Sequence, residues 1–443
     1  MIFATRLVNR EISLDKCPPV LEEKNIDTFQ KIWKILKPPV REVEIGSGEK
    51  TVKIGGKLVM YRHEFTYFNP TAIAIDVTDE MDDNILKDRI REAEAFSYEY
   101  IGRKLQLDMV AIRSTSNDLQ RFESAVKRFS ETSDLPAVLC SFDPKMIEIG
   151  LGIIGERRPL IYAANKANWR EMAKLAARFD CPLVVFAPSN LGQLKSLVHE
   201  LLEFGIGDLV LDPGTFRGKS FAETLNAFTM IRRLACTKED ESFGFPLLGV
   251  PLESWIGCSE QPEIAAWNET CLASALIVRY ADILIMHNLD GWSLLPLTIL
   301  RENLYSDPRR PVAVAPGLRS FGKPDESSPL LLTSNFALTY YTVASDIDSN
   351  KLDCYLLVID TEGLSVESAV AGRKLTPSKI DEALRTVGIK EKINHRKLII
   401  PGRAARLSGE IVEATGFEVM VGPLDSSGIA KYVSERWPPQ SQT

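Results

Sequence analysis

The stretch CPLVVFAPSNLGQLKSLVHELLEFGIGDLVLDPG, residues 181–214, holds a short apolar strand, a turn, a helical segment and a second apolar strand. Continuous apolar runs bounded by turns and separated by helical stretches predict parallel strands covered by helices on their faces. The same unit recurs on both sides of this stretch. Its strands are LDMVAIR (107–113), PAVLCSF (136–142), PLIYAA (159–164), PLVVFAP (182–188), DLVLDP (208–213), FPLLGVP (245–251), DILIMHN (282–288) and PVAVAPG (311–317). Eight such units in about 210 residues predict a central (β/α)8 TIM barrel over residues 82–318. An open doubly wound sheet would more often carry G-x-G-x-x-G after an early strand, and neither that fingerprint nor a P-loop occurs.

Upstream, residues 1–37 read as a short leader whose amphipathic part is IDTFQKIWKILK (26–37). Residues 38–81 alternate apolar and polar side chains, broken at Gly46, Gly48, Gly55 and Gly56, which predicts a short N-terminal β-meander. Downstream, RSFGKPDESSP (319–329) has the composition of a linker. Residues 330–443 then read as a smaller Rossmann-like α/β domain ending in a disordered tail, PPQSQT.

Composition bounds the function. A chain of 443 residues with 45% apolar and 26% charged residues is a soluble globular protein of two to three domains. A net charge of -7 and a pI near 5.5 give no basic footprint, which argues against nucleic acid as a partner. No run approaches the roughly 18 apolar residues of a membrane span, and the first residues lack a signal-peptide pattern, so a cytoplasmic protein is expected. Cys17, Cys140, Cys181, Cys236, Cys258, Cys271 and Cys354 form no C-x-x-C pair, and most read as small buried hydrophobes. His63, His199, His287 and His395 are too dispersed for a readable metal cluster.

Functional groups of such a barrel sit at the C-terminal ends of its strands. Those ends offer Arg113, Ser114, Asp143, Asn165, Lys166, Ser189, Asn190, Asp212, Glu253, His287, Asn288 and Asp290. No nucleophile-and-base spacing or carboxylate pair stands out, and turn formation or helix capping accounts for each residue alone. HNLDGWSLLP is rarer, and a Trp packed under a βα loop would explain it.

The C-terminal domain is more informative. In YLLVIDTEGLSVESAVAGR (355–373), KLIIPGRAARLSGEI (397–411) and FEVMVGPLDSSGIAKYV (417–433), a buried-looking strand ends in a small-residue turn that opens a helix. A parallel sheet brings those turns side by side, together with the polar end of LLLTSNFALTYYTVASDI (330–347). Candidate cofactor-binding residues are Thr333, Ser334, Asn335, Thr339, Thr361, Gly363, Leu364, Ser365, Val366, Pro401, Gly402, Gly422, Pro423, Ser426, Ser427 and Gly428. Their amide groups and small side chains suit the polar periphery and flat face of a large cofactor. Tight βα turns also need glycine, and spacing alone leaves both readings open.

From Ser13 to Trp437 the sequence resembles the large (gamma) subunit of the corrinoid iron-sulfur protein of the acetyl-CoA decarbonylase/synthase system. The resemblance is carried by PVREVEIGSGEKTVKIGG, YRHEFTYFNPTAIAI, LCSFDP, VLDPGTF, VRYADILIMHNLDGWSLLP, SNFALTYYTVASDI, VIDTEGLSVESAVAG, KLIIPGRAARLSGEI and VGPLDSSGI. It implies an N-terminal [4Fe-4S] domain, a central barrel and a C-terminal corrinoid-binding domain. In that family the corrinoid, a cobalamin-type cobalt cofactor, carries a methyl group from methyl-tetrahydrofolate or methyl-tetrahydropterin to acetyl-CoA synthase by way of Co(I) and methyl-Co(III). Matching motifs put Thr333, Thr339, the segment Gly363 to Val366 and the GPLDSSG turn against the corrinoid. Implied partners are a small (delta) subunit in a heterodimer, a pterin or folate methyltransferase, acetyl-CoA synthase and an external low-potential reductant.

Two departures shape the expectation. Base-off corrinoid domains of the commonest type carry Asp-x-His-x-x-Gly, which is absent here, and His395 precedes its strand, so no protein histidine is expected on cobalt. Relatives also hold their cluster with C-G-x-C-G-x-x-x-C and a fourth cysteine, and only the fourth, Cys17 in SLDKCPPV, is matched. A cubane needs about four ligands, so no [4Fe-4S] cluster is expected on this chain. The expected function is a cluster-less corrinoid methyl carrier. Alternatives are a methyltransferase whose barrel grips a pterin or folate through Asp143, Asn165, Asn190 and Asp212, and a non-catalytic assembly paralogue.

Overall fold

The computed structural model describes residues 2–8, 12–48, 50–58, 60, 69–101, 103–257, 261–304 and 312–437. The readings made for His63, Cys258, most of YRHEFTYFNP and the PPQSQT tail fall outside them. The chain packs as two compact units, Met1–Tyr98 with Leu105–Ser306, and Glu99–Lys104 with Asp307–Thr443.

The first unit is a TIM barrel. The hairpin β1 (Glu42–Ser47) and β2 (Lys50–Gly55) comes first, then the barrel strand β3 (Ala72–Thr78); a short ribbon follows, β4 (Ser97–Tyr100) and β5 (Arg103–Gln106), whose residues Glu99–Lys104 belong to the second unit. The remaining barrel strands are β6 (Met109–Arg113), β7 (Ala137–Cys140), β8 (Leu160–Ala164), β9 (Leu183–Phe186), β10 (Leu209–Asp212), β11 (Leu248–Gly249) and β12 (Ile283–Met286). They run parallel in the order β10-β9-β8-β7-β6-β3-β12-β11, and a bridge from Leu211 to Leu247 brings β10 and β11 together.

Two expectations are corrected here. The first barrel strand is TAIAIDV, which sequence alternation had assigned to the meander, and PVAVAPG is not a barrel strand. Ala74 to Thr78 pairs with Met109 to Arg113 on one side, and Ala72 to Ile75 pairs with Ile283 to Met286 on the other. A strand hydrogen-bonded on both edges and covered on both faces is continuously apolar, as AIAI is. Among the described residues, what remains of the meander is the β1–β2 hairpin.

Several βα units are closed by local signals. Asp118 accepts from the amides of Gln120 and Arg121, and the helix Leu119–Thr132 behind it buries Phe122, Ala125, Val126 and Phe129 at helical spacing. These side chains join the core between the helices and the outer face of the barrel. A second core fills the interior, where Ala72, Ala74, Met109, Ala111, Val138, Val184, Val210 and Ile283 meet Val43, Ile45 and Ile54 of the hairpin. The hairpin also bonds to the N-terminal ends of strands, with Gly46 N donating to Arg158 O, so it plugs the bottom of the barrel. Nearby, buried Arg232 donates to Asp282 at 2.7 Å and buried Lys57 lies 3.5 Å from the same carboxylate. Burial is the main reason the Lys57 ammonium falls to about 8, and Asp282 opposes the fall.

The second unit is a five-stranded sheet: β13 (Gly317–Phe321), β14 (Leu330–Ser334), β15 (Cys354–Ile359), β16 (Lys397–Ile400) and β17 (Glu418–Val421). Its order is β13-β15-β14-β16-β17, with β13 antiparallel to β15 and the other pairs parallel. The proposed linker therefore begins inside a strand. Gly317 to Phe321 pairs with Val358 to Cys354, and the barrel does not extend to residue 318. Both faces of this sheet are cored, one by Leu332, Leu357, Ile359 and Ile400 with helices 366–371 and 377–386, the other by Leu331, Leu356, Val358 and Ile399.

Candidate functional site

In the second unit the chain leaves β14 toward β15 on one side and leaves β16 toward β17 on the other. Loops that diverge from two neighbouring strands leave a crevice between them, the switch point where doubly wound sheets bind ligands. A cavity of about 420 Å³ lies there. Its walls include Thr333, Thr339, Ser365, Val366, Pro401, Gly422, Pro423 and Ser426 from the sequence-predicted set, with Leu331, Leu356 and Ile399 of the sheet.

Thr333 is the informative member of that wall. It is 1% exposed, and its hydroxyl has no hydrogen-bond partner among the described residues. An orphaned buried hydroxyl costs on the order of 1–3 kcal/mol, a cost removed by a ligand that bonds to it. The apolar rim of Leu338 and Leu424, 50% and 70% exposed, suits a large flat partner. Arg403 and Glu367, paired at 2.7 Å, are the charged members of the wall besides Asp425. Asp425 is held below the usual carboxylate range, first by the Ser427 hydroxyl and then by its amide.

The other predicted residues stand behind the crevice. Asn335 Oδ1 accepts from the amides of Thr361 and Gly363 at 2.9 and 3.0 Å, and Asn335 Nδ2 donates to Asp360 at 3.1 Å. One buried amide thus shapes the turn Asp360 to Leu364, where Glu362 and Gly363 take φ of 59° and 75°. Leu364 packs on the core beside Ile359 and Ile400. Ser334 is fully buried and its hydroxyl is also unpartnered. Gly402 is a packing glycine: an added Cβ would lie 2.9 Å from Gly422 O and 3.0 Å from Leu424 N. Ser427 donates to Asp425 from its amide and its hydroxyl, and Gly428 N donates to Asp425 O.

Sequence reasoning missed Leu338, Thr342 and Val343, which line the crevice from helix Ala337–Ser349. Their signal was present, because Leu338/Thr342 and Thr339/Val343 are i, i+4 pairs on one helical face. His395 lies before β16, where its Nε2 is 3.0 Å from Ser328 O, and it does not line the cavity.

The barrel mouth holds a second constellation. Asp76, at the end of β3 and fully buried, bonds Arg113 at 2.7 Å, Arg89 at 3.2 Å and His287 Nδ1 at 2.6 Å. Burial pushes its carboxyl up, and the His287 bond with the charges of Arg89 and Arg113 outweighs that and holds it low. The ionised Asp76 carboxylate can only accept, so His287 Nδ1 carries the proton toward it, with Trp255 packed 4.5 Å from the ring. Glu269 accepts from the amides of His287 and Asn288, yet burial keeps its carboxyl above the usual range. Asp212 accepts from Tyr162 OH at 2.9 Å and Gly214 N at 2.8 Å, and burial pushes it up to about 7. Ser114 Oγ and Asn288 Nδ2 are buried without partners among the described residues.

Of the predicted mouth residues, Arg113, Asp212, His287 and Asn288 belong to this interior. Asp143 and Asn190 cap helices, accepting from Lys145 N and Gln193 N, and Asn165 accepts from the amides of Ala167 and Asn168. Asp76 escaped notice because its strand was read as part of the meander. Cys17 joins two short helical turns, and its amide donates to Leu14 O. Among the described residues, no group of three or more His, Cys, Asp or Glu is placed to hold a metal ion, and no helix is long and apolar enough to cross a membrane.

These features define a two-unit α/β protein, a TIM barrel followed by a doubly wound domain open at its switch point. The chain belongs to the CO dehydrogenase/acetyl-CoA synthase delta subunit family, whose pattern it matches over residues 42–433. It is 43% identical to acetyl-CoA decarbonylase/synthase complex subunit gamma 2 of Methanosarcina thermophila, over 99% of this chain and 94% of that one. It is 42% identical to the complex's subunit gamma from Methanothermobacter thermautotrophicus, over 98% and 94%. Among solved structures, dihydropteroate synthase from Thermus thermophilus aligns at a TM-score of 0.42 and 17% identity, covering 60% of this chain and 100% of that one. The barrel assignment rests on the strand order itself.

Proposed function

We propose that this chain is a corrinoid methyl carrier of an acetyl-CoA decarbonylase/synthase complex. The single observation that carries the reading is the switch-point crevice whose wall presents the buried, unpartnered hydroxyl of Thr333. When bound, the corrinoid supplies the cobalt that accepts a methyl group from a methyl-tetrahydrofolate or methyl-tetrahydropterin and passes it to acetyl-CoA synthase or a related acceptor. Thr333, Thr339, Ser365, Val366, Pro401, Gly422, Pro423 and Ser426 hold it, while Leu338 and Leu424 exclude water from its flat face. Asn335 acts through the Asp360–Leu364 turn, and Gly402 keeps the neighbouring turns in contact. Among the described residues no histidine lines the cavity, which favours a base-off corrinoid without a histidine from this chain on the metal.

Cys17 is the lone match to the cluster ligands among the residues given, so this reading places no [4Fe-4S] cluster on them and names an external low-potential donor as a further partner. A small subunit, a methyltransferase and acetyl-CoA synthase are the proposed partners. The test is to purify the full chain with cobalamin and measure cobalt, iron and the visible absorption spectrum. About one cobalt per chain without iron is expected, and a chain that retains no corrinoid overturns the reading.

A second reading is favoured by the unmet groups of the barrel mouth. Asp212, ionising near neutrality, with Tyr162 and the free amide of Asn288, offers donors and an acceptor to the edge of a pterin or folate ring. Methyl-tetrahydrofolate binding that Asp212→Asn abolishes would favour a methyltransferase whose barrel grips the pterin or folate. A chain that assembles with partner subunits but exchanges no methyl group would instead be an assembly paralogue.

A further inference from the structure

We propose that Thr333 selects the form of the cofactor that the crevice accepts, by donating its hydroxyl hydrogen to the base nitrogen that is released when a corrinoid is base-off. This role rests on the corrinoid reading above and gives a single side chain the choice between the base-off and base-on forms. A cobalamin-type corrinoid carries a benzimidazole base on a nucleotide arm. In the base-on form one ring nitrogen of that base ligates cobalt. In the base-off form the same nitrogen keeps its lone pair and needs a donor.

The crevice suits the base better than the macrocycle. A corrin ring bears amide side chains around its edge, and burying them in an apolar cleft would strip them of water. Benzimidazole is flat, small and apolar except at its nitrogen. The cavity of about 420 Å³ is walled by Leu331, Val343, Leu356, Ile399 and Ile429, members of the core on this face of the sheet. The exposed Leu338 and Leu424 form an apolar shelf outside it for the larger ring.

Only one donor deep in this wall is unspent among the described residues. Thr333 follows Leu331 by two positions on β14, so both side chains stand on the cavity face. It is 1% exposed and its hydroxyl has no partner. The other hydroxyls of the lining are engaged or only half-buried. Thr342 donates to Leu338 O at 2.8 Å, and Ser365 lies 3.2 Å from Ser368 Oγ while accepting from the Ser368 amide. Thr339 and Ser426 are half-buried, within reach of water. Arg403 is half exposed and bonded to Glu367. A buried donor without an acceptor and a buried acceptor without a donor are each unfavourable, and pairing them relieves both at once. A base that stays on cobalt brings no acceptor to Thr333, so the base-on form gains nothing there.

The test uses the full purified chain in equilibrium dialysis against aquacobalamin and, in parallel, diaquacobinamide, which has the corrin ring but no base. Thr333→Val, nearly isosteric, should weaken aquacobalamin binding about fivefold and leave diaquacobinamide binding unchanged, with the circular dichroism spectrum and melting temperature retained. Thr333→Ser keeps the hydroxyl and should restore the parent's affinity. After reduction to Co(II), paramagnetic resonance of cobalamin on the parent and on Thr333→Ser should lack the nitrogen splitting of a base-on metal, and Thr333→Val should show it in part. Equal aquacobalamin binding by the parent and Thr333→Val, an equal loss for diaquacobinamide, or a Thr333→Ser variant as weak as Thr333→Val overturns the proposal and leaves the corrinoid reading standing. A parent chain that retains neither corrinoid overturns both.

Discussion

At the residue scale the decisive groups are polar side chains whose partners the fold withholds or supplies. Thr333 has none. Thr333→Val should leave the melting temperature equal or higher while weakening corrinoid binding roughly fivefold, about 1 kcal/mol, by equilibrium dialysis against aquacobalamin. Asp212 is the opposite case, a carboxyl bonded by Tyr162 and Gly214 but buried enough to ionise only near pH 7. Its folded-state pKa lies above its unfolded value, so the native state binds the extra proton between about pH 4 and pH 7. The stability it contributes is complete below that window and lost as pH rises through 7. Asp212→Asn should flatten that part of the profile and leave the variant more stable than the parent above pH 7, as read from denaturant midpoints between pH 4 and 8.5. Thr333 and Asp212 could both be named from strand-end positions. Asp76 could not, because its place at a strand end depends on which strand enters the barrel.

At the scale of elements, the turns after β16 and β17 act as one. Gly402→Ala would push a methyl group into Gly422 O and Leu424 N, and backbone on both sides leaves it nowhere to go. We expect a loss of about 1–3 kcal/mol by urea unfolding, with weakened corrinoid retention. Asn335→Ala removes the acceptor of two amides and the donor to Asp360, and should destabilise the same unit by about 2–3 kcal/mol. The periodicity of the βα units was legible because the strands are short apolar runs and several of the helices carry a capping side chain, as with Asp118, Asp143 and Asn190. TAIAIDV and PVAVAPG were not separable in this way. Both are short apolar runs, and only lateral pairing puts the first between β6 and β12 and leaves the second outside the barrel.

At the scale of the whole molecule, the cores of the two units draw on separate residues. Calorimetry of the full chain should resolve two transitions. A ligand that binds one folded unit stabilises that unit by RT ln(1 + [L]/Kd), about 2.7 kcal/mol at a hundredfold excess over Kd. Added corrinoid should therefore raise one transition and leave the other in place. A shift of neither would contradict the crevice, and a shift of both would contradict independent cores.

Sequence by itself determined the fold class, a TIM barrel followed by a smaller α/β domain, and the small-residue turns that follow β15, β16 and β17. These follow from local periodicity, capping and glycine, which act over a few residues. Tertiary structure alone decided which eight strands close the barrel, which predicted residues face the cavity and which stand behind it. It also decided that Thr333 is left without a partner among the described residues while Asn335 bonds to Asp360, Thr361 and Gly363. Those outcomes depend on strand order and on what lies opposite each side chain, and spacing along the chain does not encode either.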